Sequence, residues 1–283
     1  MAAPSPGVPF YQKTWFQATG AVVALLAAVW AFAGAPSPWN LIDDLLSPDA
    51  PASNTEIVLD TSEGMNAPFE GGTKLQAAAD AVGAFAAPYS NEGLALRTSG
   101  GECQQPGDLL VDFGEDHADE VQEEAAEAAQ EPSGVPNLAD AVIAAIDDFS
   151  DAERFPDPAS PKRVVIFTGS EPIDNCTDFA ERVSSELERS GVDAVFQMVG
   201  LGVAGEAQEP LRDLKDQLEA IQNHDEATQG PQGEPAASVG ATVDFPDTQA
   251  EIVDVVQDLK EKFETDFPLP NGTSDDGGVL DDD

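Results

Sequence analysis

From residue 55 to residue 265 the sequence alternates short, nearly continuous apolar runs with longer stretches whose apolar residues recur every three or four positions. No other feature constrains the fold as much. Arg163-Val164-Val165-Ile166-Phe167-Thr168 is the clearest buried strand, accompanied by runs at Glu56 to Asp60, Leu94 to Thr98, Leu109 to Phe113, Val192 to Val199 and Ala241 to Phe245. Helical periods lie between them. One carries Leu75, Ala79, Val82 and Ala86, a second Leu138, Val142, Ile146 and Phe149, and a third Phe179, Val183 and Leu187, stopped by Gly191. The last two carry Leu211, Leu214, Leu218 and Ile221, then Ile252, Val255, Val256, Leu259 and Phe263. Strands that are apolar along their whole length need cover on both faces, and alternating helices supply it. The expected fold class is α/β, a doubly wound and mostly parallel sheet. In such sheets ligands bind beyond the carboxyl ends of the strands, so function is expected in the loops after Leu59, Phe113 and Thr168.

The two ends of the chain read differently. From Trp15 to Ala35 there are 21 residues without a charge, which at about 1.5 Å per residue span roughly 30 Å, the thickness of a bilayer core. Trp15 and Trp30 fall near its ends, Lys13 precedes it, and Asp43 and Asp44 follow. That arrangement predicts a single-pass anchor over 15–35, a cytoplasmic tail over 1–14 and an outward-facing domain in the cell membrane. Ala33-Gly34-Ala35 also fits a small-x-small cleavage site, and cleavage near Ala35 would leave the domain secreted. Residues 36–54, rich in Pro, Ser and Ala, read as a stalk before a globular part over 55–265. Residues 266–283 hold six Asp and no basic residue, and their composition predicts a disordered acidic tail.

With 54 Asp plus Glu against 12 Lys plus Arg, the net charge is −42. A hydrophobic share of 41% is still enough for a core, so this is the composition of a folded chain with an acidic surface. Such a surface repels phosphate, which excludes nucleic acid as a partner, and it suits solubility in molar salt, where repulsion is screened. A halophilic source is expected.

His117 and His224 lie far apart, and neither joins a metal-ligand spacing with Cys103 or Cys176. The sequence has no G-x-S-x-G, H-E-x-x-H, G-x-G-x-x-G or Walker-type run, and Gly71-Gly72-Thr73-Lys74 has the wrong order for a phosphate cradle. The chain is expected not to be an enzyme. An extracellular α/β hydrolase is the remaining enzymatic alternative, and it would need a nucleophile and a base that no motif supplies.

The loop after the first strand reads Asp60-Thr61-Ser62-Glu63-Gly64-Met65, and Gly72-Thr73-Lys74-Leu75 opens the next helix. This resembles the von Willebrand factor type A (vWA) family, whose first strand ends in D-x-S-x-S. Leu96 to Cys103 is similar to an L-R-x-x-G-G-x-C segment of a bacterial and archaeal branch, Ser133 to Val142 to its G-G-T-P-L loop, and Val164 to Ser170 to its V-V-L-x-T-D-G strand and turn. With the chain's acidity, the resemblance is to a membrane-anchored member of haloarchaeal type. It implies a metal-ion-dependent adhesion site built from Asp, two Ser, a Thr and a second Asp. Carried over by position, Asp60 and Ser62 remain as metal ligands, while Gly64, Pro136 and Gly169 stand where the second serine, the threonine and the aspartate belong. The site is degenerate. No cofactor is expected, the alternative being Mg²⁺ or Ca²⁺ held with help from Glu63, Asn137, Asp140 or Asp174. If the loops are otherwise in place, Gly64→Ser, Pro136→Thr and Gly169→Asp should restore binding. Without metal, Asp60 and Ser62 are expected to close the turn by bonding backbone N–H groups.

The function expected is protein–protein interaction with another protein, through a surface of Asp60, Ser62, Glu63, Gly64, Pro136, Asn137 and Gly169. A divalent-cation-dependent adhesion domain is the alternative. The resemblance also implies a Cys103–Cys176 disulfide, in keeping with an oxidising exterior, against two buried thiols. Asn175 and Asn271 head N-x-[ST] sequons, of which Asn271 is the better glycan acceptor because it lies in the tail.

Overall fold

A computed structural model describes residues 53–89, 92–157, 160–171, 176, 178–228 and 240–266. The anchor run over 15–35, nearly all of the stalk, Asp174, the sequon residues Asn175 and Asn271 and the tail beyond Asp266 lie outside these residues. Among the described residues no helix is long and apolar enough to cross a membrane.

Six strands form the main sheet: β1 (Asn54–Asp60), β4 (Gly93–Ser99), β5 (Leu109–Gly114), β6 (Lys162–Thr168), β7 (Val195–Gly200) and β8 (Ala241–Asp244). A two-stranded hairpin of β2 (Pro68–Phe69) and β3 (Gly72–Thr73) sits in the first crossover. The main sheet runs in the order β5-β4-β1-β6-β7-β8, and all its pairings are parallel except that of β4 with β5. Among the described residues six helices accompany the strands, the last of them after β8: α1 (Lys74–Ala86), α2 (Ala118–Ala128), α3 (Leu138–Phe149), α4 (Phe179–Ser190), α5 (Glu209–Thr228) and α6 (Gln249–Asp266).

Side chains alternate across the sheet, and the core therefore has two layers. Ile57, Leu59, Leu96, Val165 and Phe167 pack under α1, α2 and α6. Val58, Val164, Ile166, Phe196 and Met198 pack under α3, α4 and α5. Asp60, two residues beyond Val58, therefore emerges on the α3 side at the carboxyl end of the central strand. Local signals agree with these elements. Thr73 and Gln76 form a reciprocal capping box that opens α1, and Gly191 ends α4 in the left-handed conformation at φ 65° with its N–H on Leu187 O.

Three features depart from the sequence reading. Helix α2 was not expected, because five of its eleven residues are Glu or Asp and only Val121 and Ala125 are buried. Strand β7 begins at Val195 rather than Val192. The third departure moves a candidate site: β5 is antiparallel, with Gly114 beside Leu94 at the start of β4, so the loop after Phe113 lies at the opposite end of the sheet from Asp60.

Charges also lie inside the strands. Arg163 on β6 is fully buried; its Nε donates to Thr55 Oγ1 at 2.9 Å, its Nη2 to Glu92 Oε1 at 2.6 Å, and its guanidinium lies 4.7 Å over the Phe85 ring. Arg97 on β4 donates to Glu56 Oε1 at 2.7 Å and to Asp148 Oδ2 at 2.5 Å. Burial outweighs the attraction of Arg97 and lifts the Glu56 carboxyl to about 7.

Candidate functional site

The carboxyl end of the sheet is built by the loops after β1, β4, β6 and β7, with the segment leading into α3 laid across them. Asp60 and Ser62 are both fully buried. Asp60 Oδ1 accepts the Ser62 backbone N–H at 3.0 Å, the turn closure expected of it, and Oδ2 accepts the Thr168 hydroxyl at 2.7 Å. Ser62 Oγ lies 2.5 Å from Ser170 Oγ. The hydroxyls of the loops after β1 and β6 thus bond one another, while Thr168 at the end of β6 bonds the carboxylate at the end of β1.

The position of Gly64 meets Ser170 directly: a Cβ there would sit 2.9 Å from Ser170 Oγ and 3.0 Å from its Cβ. At Gly169 a Cβ would lie 2.7 Å from Leu201 O, 2.9 Å from Lys74 Cδ and 3.2 Å from Met65 Sδ. Neither glycine can take a larger side chain without displacement, so packing stands against the expectation that Gly64→Ser and Gly169→Asp would complete a ligand set. Lys74, nearly buried, passes under Gly169 and donates from Nζ to Gly169 O at 2.7 Å and to Gly202 O at 3.0 Å. Burial lowers the pKa of its ammonium, opposed by the attraction of Glu171, Asp60 and Asp247.

Of the four substitute ligands weighed from sequence, Asn137 and Asp140 have other tasks. Asn137, fully buried, accepts Gly100 N–H at 2.6 Å and donates to Glu102 O and Gln105 O. Asp140 accepts Gln104 N–H at 2.8 Å and pairs with Arg182. Glu63 is exposed and Asp174 lies outside the described residues. Among the described residues no group of three or more His, Cys, Asp or Glu is placed to hold a metal ion. In this donor set both Asp60 oxygens and both serine hydroxyls take part in hydrogen bonds within the loop edge.

Of the expected contact residues, Glu63 and Gly64 are exposed and Pro136 is half-buried, whereas Asp60, Ser62, Asn137 and Gly169 lie beneath them. Val135 joins the exposed set at 38% accessibility, one of two large apolar side chains so exposed among the described residues. It is presented by a backbone bridge, with Gly101 N–H on Val135 O at 3.2 Å and Val135 N–H on Gly101 O at 3.0 Å. The sequence offered no signal for it beyond its place in the loop. Cys103 and Cys176 form a disulfide with Cα atoms 5.5 Å apart, tying this loop cluster to the segment before α4. His117 is at the N-terminus of α2 on the acidic flank, its Nδ1 3.0 Å from Asp112 O, with no nucleophile among its polar contacts.

Solved structures share the fold. The PilB minor pilin of Streptococcus sanguinis superposes with a TM-score of 0.54 at 10% identity, over 77% of this chain and 62% of the pilin. The pilus adhesin SpaC of Lactobacillus rhamnosus GG gives 0.51 at 11% identity, over 76% of this chain and 31% of the adhesin. What they share is the fold, a mostly parallel α/β sheet covered by helices. This chain thus spans under two thirds of either protein, and the identities carry the fold alone. BatB of Bacteroides thetaiotaomicron aligns over 75% of this chain and 99% of its own, at 11% identity and a TM-score of 0.49. No family model matches the sequence, and no curated protein matches it.

Proposed function

We propose that this chain is an extracytoplasmic, vWA-like interaction domain, held at the membrane by residues 15–35, that binds another protein through the loop edge of its sheet without a divalent ion and without catalysis. The observation that carries the reading is the closed hydroxyl–carboxylate network of Asp60, Ser62, Thr168 and Ser170, over which Glu63, Gly64, Val135 and Pro136 form the exposed rim. A site whose polar atoms satisfy one another inside offers shape and a rim rather than an open coordination position. A pilin and a pilus adhesin are built on the same fold, which supports a role in contacts between proteins. The acidic surface supports a setting of high salt, where a partner is recognised by packing and short-range bonds more than by long-range attraction.

The test is capture of partners from membranes at high salt by the full chain, by a Val135→Asp, Glu63→Arg double variant, and by the full chain in chelator. Loss of a specific partner in the variant and its retention in chelator is the expected result. Loss in chelator would move the function to divalent-dependent adhesion.

A further inference from the structure

We infer that the loop from Glu102 to Pro106 is the part of the loop edge that selects the partner, and that it selects a protein segment of uncharged hydrogen-bonding groups. This rests on the interaction reading above and gives the partner in that reading a chemistry.

The loop shows its side chains and has its backbone held from beneath. Glu102, Cys103, Gln104, Gln105 and Pro106 are all exposed. Under them, fully buried Asn137 accepts the Gly100 N–H at 2.6 Å and donates to Glu102 O at 3.2 Å and to Gln105 O at 2.9 Å. Asp140 accepts the Gln104 N–H at 2.8 Å, and Arg97 Nη1 donates to Pro106 O at 3.4 Å. Gly107, at φ 71°, closes the loop so tightly that a Cβ there would lie 1.8 Å from Thr98 O. Gln104 sits at φ 69°, one of three non-glycine residues with positive φ among the described residues. Such a conformation persists only where its surroundings hold it, and it gathers at sites that grip a ligand. A backbone fixed before binding loses little freedom when the partner arrives, which is the advantage of a preorganised loop.

The exposed residues define the partner. In a chain with 54 Asp plus Glu among 283 residues, Ser99 to Gly107 holds one acid, Glu102, and Pro132 to Leu138 holds none. The two stretches meet in the Gly101–Val135 bridge, so the uncharged loop and the exposed Val135 form one patch on an acidic chain. A glutamine amide carries two donors and an acceptor. The Gln105 amide reaches Glu102 Oε2 only at 3.5 Å, which leaves its bonding capacity to a partner. Gln104 and Gln105 therefore suit the amides and hydroxyls of a protein segment, with a small apolar side chain against Val135 and no call for a basic residue. At molar salt the screening length is about 3 Å, and short hydrogen bonds persist where attraction between separated charges fades.

The experiment takes the full chain in detergent at high monovalent salt and measures how much of each membrane protein it retains above a chain-free control. The natural chain is compared with Gln104→Glu, Gln105→Glu, with the Val135→Asp, Glu63→Arg variant, and with Gln257→Glu on the exposed side of α6 as a control for added charge. Because the loop is held through its backbone, the glutamine variant should melt with the natural chain yet retain roughly tenfold less of the specific partner. Should the added charge unfold it, Gln104→Gly, Gln105→Ala removes both amides without that charge and should give the same loss. Gln257→Glu should retain the partner in full, and raising the salt from about 1 M to about 3 M should leave it bound to the natural chain. Undiminished retention by a folded glutamine variant, with loss in Val135→Asp, Glu63→Arg, would confine recognition to the rim and overturn the inference. Release by added salt would show pairing of charges and overturn the chemistry assigned to the partner. A natural chain that retains nothing above the control would instead sink the interaction reading itself.

Discussion

Thr168, at the last position of β6, donates its hydroxyl to Asp60 Oδ2, at the last position of β1, across 2.7 Å and 108 residues of sequence. Both side chains are fully buried, so this bond closes the strand ends where the loop edge begins. Replacing Thr168 by Val keeps its shape and leaves one carboxylate oxygen without a donor, which should cost about 1–3 kcal/mol. At about 2–4 °C per kcal/mol for a domain of this size, the melting temperature should fall by several degrees, and Thr168→Ser should recover most of it.

Gly169 is fixed by volume. With a Cβ 2.7 Å from a backbone oxygen and 2.9 Å from the Lys74 stem, Gly169→Ala should destabilise by about 1–3 kcal/mol through overpacking. The combined Gly64→Ser, Pro136→Thr, Gly169→Asp variant should melt lower still and show no saturable heat with Mg²⁺ in calorimetric titration. Tight Mg²⁺ binding by that variant would show that the loops can open to make room.

The Cys103–Cys176 bridge closes a loop with a sequence separation of 73, which in the chain-entropy model stabilises by about 4 kcal/mol. Reduction should lower the melting temperature by on the order of 10 °C. Mass spectrometry of an unreduced digest should recover the two peptides joined, and free alkylation of both thiols in the denatured, unreduced chain would refute the bridge.

Glu56 sets a pH dependence of unusual sign for a carboxylate. Its folded pKa is raised from 4.5 to about 7, so the folded chain binds the extra proton between those values and stability falls as pH rises through that window. The penalty is absent below about pH 4.5 and complete above about pH 7, with an upper bound of about 3 kcal/mol. Arg97 and Arg154 face the same carboxyl and temper the effect, whereas Asp148 adds to it. Measured from pH 5 to pH 8, the melting temperature of Glu56→Gln should gain on that of the natural chain; parallel curves would refute the assignment.

Much of this architecture was legible in the residues. The apolar runs around Ile57, Leu96, Val165 and Met198 and the periods of α1, α3, α4, α5 and α6 were enough for a doubly wound sheet, because strands covered on both faces leave a continuous signature. Helix α2 escaped because its stripe is two residues wide, Val121 and Ala125 among glutamates. The direction of β5 escaped because side-chain period carries no information on strand sense. Within the loop edge, Asp60 and Ser62 were legible through the resemblance. Thr168 and Ser170 were not, since a hydroxyl at a strand end reads as an ordinary turn former until its partner, more than a hundred residues away, is known. Lys74 was visible only as part of a helix-opening run; its burial depends on two glycines in other loops.

The ionic pairs inside the strands have a further consequence, for how the sheet chooses its pairings. A slip of β1 by two residues along β4 and β6 would keep every apolar side chain on its own face, so hydrophobic burial alone discriminates weakly against it. Thr55 lies directly opposite Arg163, and Glu56 sits diagonally from Arg97, which is opposite Val58. The same slip would part Glu56 from Arg97 and take the Thr55 hydroxyl away from Arg163, a cost of about 3–5 kcal/mol for the broken ion pair. Only one alignment of these similar strands escapes that cost. A Glu56→Leu, Arg97→Leu chain should therefore remain folded yet lose the single pattern of slowly exchanging amides along β1 and β4, and retention of one sharp pattern would show that the apolar packing selects the alignment unaided.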